Sequence, residues 1–231
     1  MDSRTTETTV PTGGVELTGD LVVPAGARGI VLFAHGSGSS RHSPRNRLVA
    51  DALNRAGLAT LLVDLLTREE EAVDDQTGEL RFDIGLLTGR LVGIVDWLGS
   101  GAPAGPLPIG LFGASTGAAA ALAAAASRPD QVYAVVSRGG RPDLAGPDLP
   151  GVRASTLLLV GGRDDEVLRL NDEALAELTG TARLRVVPGA THLFEEPGTL
   201  EQVAREAAEW FVAHLPGPPP EVADRPAYHA R

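Results

Sequence analysis

The chain has 231 residues, 43% of them hydrophobic and 22% charged, which is enough for one domain with a sizeable core and cramped for two. Its formal net charge of −10 repels phosphate backbones and anionic membrane surfaces, so nucleic acid and membrane are not expected partners. All 20 basic residues are arginine and there is no cysteine, which excludes Schiff-base or P-loop lysines, thiolate nucleophiles, disulfides and cysteine-type metal or cluster sites.

Residues 1–12 are polar, without an apolar stretch behind basic residues, so no secretory signal is expected and residues 1–13 are read as a flexible N-terminus. Residues 15–23 alternate weakly and predict a strand or hairpin at a sheet edge, closed by Pro24-Ala25-Gly26. Residues 29–34 form a continuous apolar run ending at His35-Gly36, the pattern of a strand covered on both faces. Pro44 then opens a helix with Leu48, Val49, Ala52 and Leu53 at helical spacing, stopped by Gly57. The unit recurs: strand 59–63, a charged loop over about 64–80, helix 82–98, strand 107–112, helix 116–127, strand 132–137. Strand 156–160, helix 166–178, strand 184–187 and helix 200–215 complete the series. Such alternation forces parallel pairing with helices on both faces. The expected fold class is α/β, a doubly wound, mostly parallel sheet. Residues 139–152 are too few for a helical lid, so no cap domain is expected. Residues 216–231, Pro-rich and aperiodic, are read as a disordered tail. The longest featureless apolar stretch, residues 118–126, falls far short of the roughly 20 residues that cross a bilayer.

Gly113-Ala114-Ser115-Thr116-Gly117 matches the Gly-x-Ser-x-Gly turn that lifts a serine hydroxyl above a sheet, with a predicted strand directly before it and a helix directly after. A serine hydroxyl is a poor nucleophile unless a base takes its proton, so the reading requires a histidine and an orienting carboxylate downstream. Asp164 lies at the end of a predicted strand in Gly161-Gly162-Arg163-Asp164, with Asp165 as an alternative better placed to cap the next helix and Asp143 or Asp148 as a further option. His192 follows the last strand and completes the order Ser, Asp, His. Of the other histidines, His35 is expected to shape its turn, while His42, His214 and His229 read as surface residues. An oxyanion hole needs two N–H donors aimed where charge develops. The Thr116 amide, at a helix start, supplies one, and Ser37, with Gly38 next, is expected to supply the second.

These residues resemble the α/β-hydrolase superfamily over about residues 14–215 and, within it, the dienelactone hydrolase-like branch. The resemblance rests on the run from Phe33 to Ser40, on Gly113 to Gly117, on Gly161 to Asp164, and on Gly189-Ala190-Thr191-His192-Leu193-Phe194. Similar sequences occur as domains fused to phosphoribosyltransferases, a partner that these 231 residues do not encode. Dienelactone hydrolases proper use a cysteine nucleophile, which this chain lacks, so the resemblance implies esterase-like acyl transfer without implying dienelactone as substrate.

Among loop arginines near strand ends, Arg41 and Arg138 are candidates, with Gly38, for binding a substrate carboxylate. The acidic run Glu69, Glu70, Glu71, Asp74 and Asp75 matches no calcium loop and is read as solvated rather than metal-binding. The expected protein is a cytoplasmic serine hydrolase, free of cofactor and metal, monomeric or homodimeric, acting on a small-molecule acyl substrate: an ester, thioester or lactone. Two alternatives are an acyltransferase or cyclase built on the same acyl-enzyme, and a non-catalytic binding module on a hydrolase scaffold.

Overall fold

The computed structural model describes residues 4–101 and 103–217. Eight strands form one sheet: β1 (Thr6–Thr12), β2 (Val15–Val22), β3 (Ile30–Ala34), β4 (Ala59–Val63), β5 (Ile109–Ala114), β6 (Val132–Arg138), β7 (Ser155–Gly161) and β8 (Ala182–Val187). Their order is β1-β2-β4-β3-β5-β6-β7-β8, antiparallel at β1-β2 and β2-β4 and parallel from β4 onward. Helices α1 (Pro44–Arg55), α2 (Arg68–Thr77), α3 (Ile84–Gly99), α4 (Thr116–Ser127), α5 (Asp165–Glu177) and α6 (Thr199–Ala213) complete the α/β-hydrolase architecture. Parallel strands need crossovers, and these helices supply them on both faces. Side chains from α1 and α6 meet Val31, Phe33, Phe112 and Val136 on one face. Those from α3, α4 and α5 meet Leu32, Leu61, Leu111 and Val135 on the other.

Four expectations about the N-terminal half are corrected. Residues 6–12 are not flexible: they form the edge strand β1, with Val10 opposite Leu17 in the β1-β2 register and both side chains buried. The Thr12 hydroxyl donates to the Arg90 carbonyl (2.8 Å), and Arg90 in turn pairs with Glu70 (2.5 Å), so β1, α2 and α3 are tied together. β2 is therefore internal, and β1 takes the edge. The charged stretch 64–80 is largely helix α2, whose start carries a reciprocal cap. The Thr67 hydroxyl accepts from the Glu70 amide (3.2 Å), and the Glu70 carboxylate accepts from the Thr67 amide (2.8 Å). Asp74, read as solvated, is buried and receives Arg81. The proline-rich tail lies, from residue 218 on, outside the described residues. A 3₁₀ stretch, Pro142–Gly151, occupies the place where a lid would be inserted. Among the described residues, no helix is long and apolar enough to cross a membrane.

α4 sits deepest. Every residue from Thr116 to Ala125 is buried, and eight of these ten are alanine or glycine, apart from Thr116 and Leu122. Small side chains let the helix lie close to β5 and β3, where bulk would push it away. We predict that Ala121→Leu, which forces extra methylene groups into this contact, lowers unfolding free energy by about 1–3 kcal/mol. Urea unfolding should show a lower midpoint at unchanged slope. An unchanged midpoint would mean the helix has room to spare.

Candidate active site

Ser115 is the single residue between β5 and α4, and its backbone sits at φ 51, ψ −122, a region that a side-chain-bearing residue rarely occupies. Its neighbours hold it there. A Cβ added at Gly113 would lie 2.4 Å from Ala118 Cα, and one at Gly117 would lie 2.4 Å from the carbonyl oxygens of Ala34 and His35. The turn is thus clamped between α4 and the end of β3 at distances only glycine permits. The Ser115 amide donates to the Arg138 carbonyl (3.2 Å), and its carbonyl accepts from Ala118 and Arg141 (both 3.1 Å). With the Ser115 backbone satisfied, its half-exposed side chain makes no hydrogen bond among the described residues.

Asp164 occupies the capping position before α5, yet its carboxylate makes no cap bond. Instead Oδ2 lies 2.6 Å from His192 Nδ1. With Nδ1–H donated to the carboxylate, Nε2 keeps its lone pair. The two loops are stitched together by backbone: Gly162 donates to the Val187 carbonyl and Arg163 to the Ala190 carbonyl, both at 2.9 Å. The imidazole reaches the serine side of the sheet. A Cβ at Gly139, next to the residue whose carbonyl takes the Ser115 amide, would lie 3.6 Å from His192 Cε1. Among the described residues, no direct hydrogen bond joins the Ser115 hydroxyl to His192. The other acids are placed elsewhere. Asp165 is in the first turn of α5, and Asp143 is held by both arms of Arg141 (2.8 and 2.7 Å).

Glu196 and Phe194 also shape this loop; Glu196 was not singled out from sequence, and Phe194 only as the end of the run from Gly189. Glu196 Oε2 accepts the Thr191 amide (3.0 Å), a bond that holds its carboxyl below the usual glutamate range. Phe194, at φ 57 and 1% exposed, buries its ring beneath the histidine loop. The Glu196-Pro197-Gly198 turn signal was the readable clue.

On the β3 side, half-buried His35 uses both ring nitrogens. Nε2 accepts the Leu65 amide (3.1 Å), which leaves Nδ1–H to donate to the Gly36 carbonyl (3.0 Å). The ring thereby pins the Gly36 turn to the end of β4, the shaping role expected of it. The Ser37 amide departs from expectation: it is not free but donates to Thr116 Oγ1 (3.0 Å). The Thr116 amide, in the first turn of α4, has no acceptor among the described residues.

Arg41 is not available to a substrate. It pairs with Asp64, with Asp20 (3.3 Å) and with Glu7 (3.1 Å), while its amide donates to Asp64 (2.7 Å). It fastens the 36–41 loop to β1, β2 and β4. Arg138 is different. It is 7% exposed and, among the described residues, has no acidic partner; one Nη is 3.5 Å from the Asn46 side-chain oxygen, and Nε is unpaired. Its guanidinium carbon lies 6.0 Å from the centre of the Phe194 ring. Burial, with Arg45 nearby, pulls its pKa down to about 10. Gly38 borders a groove lined by the 35–40 loop with Leu66, Leu87 and Arg81.

Desolvation lowers the His35 pKa, so the fold favours its neutral form. The unfolded chain then binds more protons near the ordinary histidine pKa. The stability from this site is complete above about pH 6.5 and is lost as pH falls toward the depressed folded value. We predict that wild-type protein is less stable at about pH 5.5 than at about pH 7.5 and that His35→Gln flattens this dependence. An equal loss of urea-unfolding free energy between the two pH values in wild type and variant would refute it.

The model of the dienelactone hydrolase family matches residues 17–213. A dienelactone hydrolase of Anabaena variabilis, known from a crystal structure, is 58% identical, with a TM-score of 0.92, covering 94% of this chain and 100% of that one. Est1E from Butyrivibrio proteoclasticus is 16% identical with a TM-score of 0.75, over 90% of this chain and 98% of its own, a likeness of fold. A protein of Mycobacterium tuberculosis strain H37Rv, named as a phosphoribosyl transferase, is 59% identical over 217 residues. The match covers 94% of this chain and 48% of the relative, so this chain spans about half that protein's length.

Proposed function

The chain belongs to the dienelactone hydrolase family, and from that premise we propose that it is a serine hydrolase cleaving a carboxylic ester, thioester or lactone. The observation that carries this reading is the 2.6 Å contact between Asp164 and His192 on the rim where the strained Ser115 turn stands.

Ser115 Oγ attacks the substrate carbonyl carbon while His192 Nε2 takes the hydroxyl proton. The tetrahedral intermediate places negative charge on the former carbonyl oxygen, which the Thr116 amide at the start of α4 meets with a donor and the positive end of a helix dipole. As the intermediate collapses, His192 returns the proton to the departing alcohol or thiol and an acyl-Ser115 remains. Water, deprotonated by His192, then releases the acid. Asp164 holds the imidazole tautomer throughout and stabilises its cationic form. The hydrogen bond that the attack requires between Ser115 Oγ and His192 Nε2 is of the kind that forms as substrate enters.

The arginines divide the site electrostatically. Arg41 is consumed by structural acids, so we reserve for Arg138 the recognition of an anionic group on the acyl substrate.

We predict that Ser115→Ala keeps the wild-type fold by circular dichroism but loses at least about 10⁴-fold of p-nitrophenyl ester turnover, as removal of an activated nucleophile does. Turnover at the wild-type rate would refute the mechanism. For Arg138→Met, KM for an ester bearing a carboxylate should rise by about 10- to 100-fold, the worth of a charged hydrogen bond, while a neutral ester of equal length keeps its KM. The same substitution should not destabilise the fold, because it removes a buried charge without a counter-ion. Equal KM changes for both esters would remove Arg138 from recognition.

A further inference from the structure

Thr116 is 5% exposed, buried like the residues that follow it in α4, and differs from them in its Oγ1, which accepts the Ser37 amide across the gap between α4 and the β3 loop. That hydroxyl also carries a proton, and among the described residues the proton has no acceptor. A buried hydroxyl donor left unmade costs free energy, and a threonine opening a helix could have spent it on a local backbone carbonyl. Here it does not. The neighbouring Ser115 makes no side-chain cap for α4 either.

We propose that the Thr116 hydroxyl is itself an oxyanion donor, so that one residue presents both its amide and its Oγ–H to the developing charge. This deepens the serine-hydrolase reading and rests on it. The Ser37 amide then acts one bond removed. By donating to Thr116 Oγ1 it polarises the hydroxyl, making the O–H a stronger donor as charge grows on the substrate oxygen. No bond is formed or broken at Thr116; it gives a hydrogen bond and keeps its proton. The rival arrangement treats the hydroxyl as a plug that rotates away so that the Ser37 amide can meet the oxyanion directly. The two differ in sign: deleting a donor slows turnover, whereas deleting a plug leaves it unchanged or raises it.

The test is steady-state kinetics on one neutral short-chain p-nitrophenyl ester for wild type, Thr116→Val, Thr116→Ser and Thr116→Ala, with Ser115→Ala and fluorophosphonate labelling of Ser115 alongside. Valine keeps the shape and removes the hydroxyl, so kcat should fall about 10²- to 10³-fold, the usual loss of one oxyanion donor, with KM little changed. Serine restores most of kcat, and alanine falls with valine, which keeps the experiment decisive should valine fold poorly. Wild-type kcat in the valine or alanine variant, or faster turnover, would overturn the proposal in favour of the plug. A loss in serine as large as that in valine would show that kcat follows the fit of the side chain rather than its hydroxyl, and would overturn it too. If Ser115 resists labelling and Ser115→Ala remains active, the underlying hydrolase reading fails as well, an outcome distinct from failure at Thr116 alone.

Discussion

The close approach of α4 to the sheet governs the rest of the molecule. Gly113 and Gly117 let the helix start within van der Waals reach of β5 and of the β3 carbonyls, and the alanines behind them keep it there. Move the helix outward by one side-chain layer and three things change together. The Ser115 turn relaxes from its positive φ, the Thr116 hydroxyl loses the Ser37 amide, and the amides opening α4 no longer face the β3 loop. A left-handed backbone at a bulkier residue costs of the order of 1–3 kcal/mol and persists only where the surroundings over-determine it. Here the clamp comes from two elements and from the Arg138 carbonyl on a third.

The proposed site is assembled from strand ends, each held by a different bond type. β3 contributes a loop fixed by the neutral His35 ring and by the Arg41 ion pairs. β5 contributes the serine turn, held by backbone sterics. β7 and β8 contribute the carboxylate and the imidazole, laced to one another by backbone hydrogen bonds and by Glu196. Because carboxyl ends of parallel strands converge on one rim, these separate supports bring distant residues into one place. The arginine chemistry follows the same logic. Arg41 reinforces the scaffold because three acids surround it, whereas Arg138, enclosed by Asn46 and Phe194, has no acidic partner among the described residues.

Much of this was readable in the chain. The apolar run at 29–34 and the alternation of strands and helices specify a parallel sheet, since strands covered on both faces are predominantly apolar. The elbow pentapeptide and the Ser, Asp, His order are local or sequential signals. Helix α2 was legible in principle from Thr67 and Glu70, a reciprocal cap, but it has almost no apolar face, so hydrophobic periodicity passed over it. β1 was illegible for a different reason. Its polar residues 6–9 look like a tail, and it becomes a strand because Val10 finds Leu17 and Thr12 finds α3, partners that only folding supplies.

Residue type and order alone determined the fold class, the strained serine turn and the identity of the acid and base candidates, because each depends on local stereochemistry or on periodicity along the chain. Tertiary structure decided the remainder. It turned Asp164 rather than Asp165 toward His192, spent Arg41 on acids from three strands or their ends, left Arg138 without an acidic partner among the described residues, and placed the Ser37 amide on Thr116. Those outcomes turn on which groups meet across tens of residues of sequence, and a hydrogen bond or ion pair is set by distances of a few tenths of an ångström that only the packed chain defines.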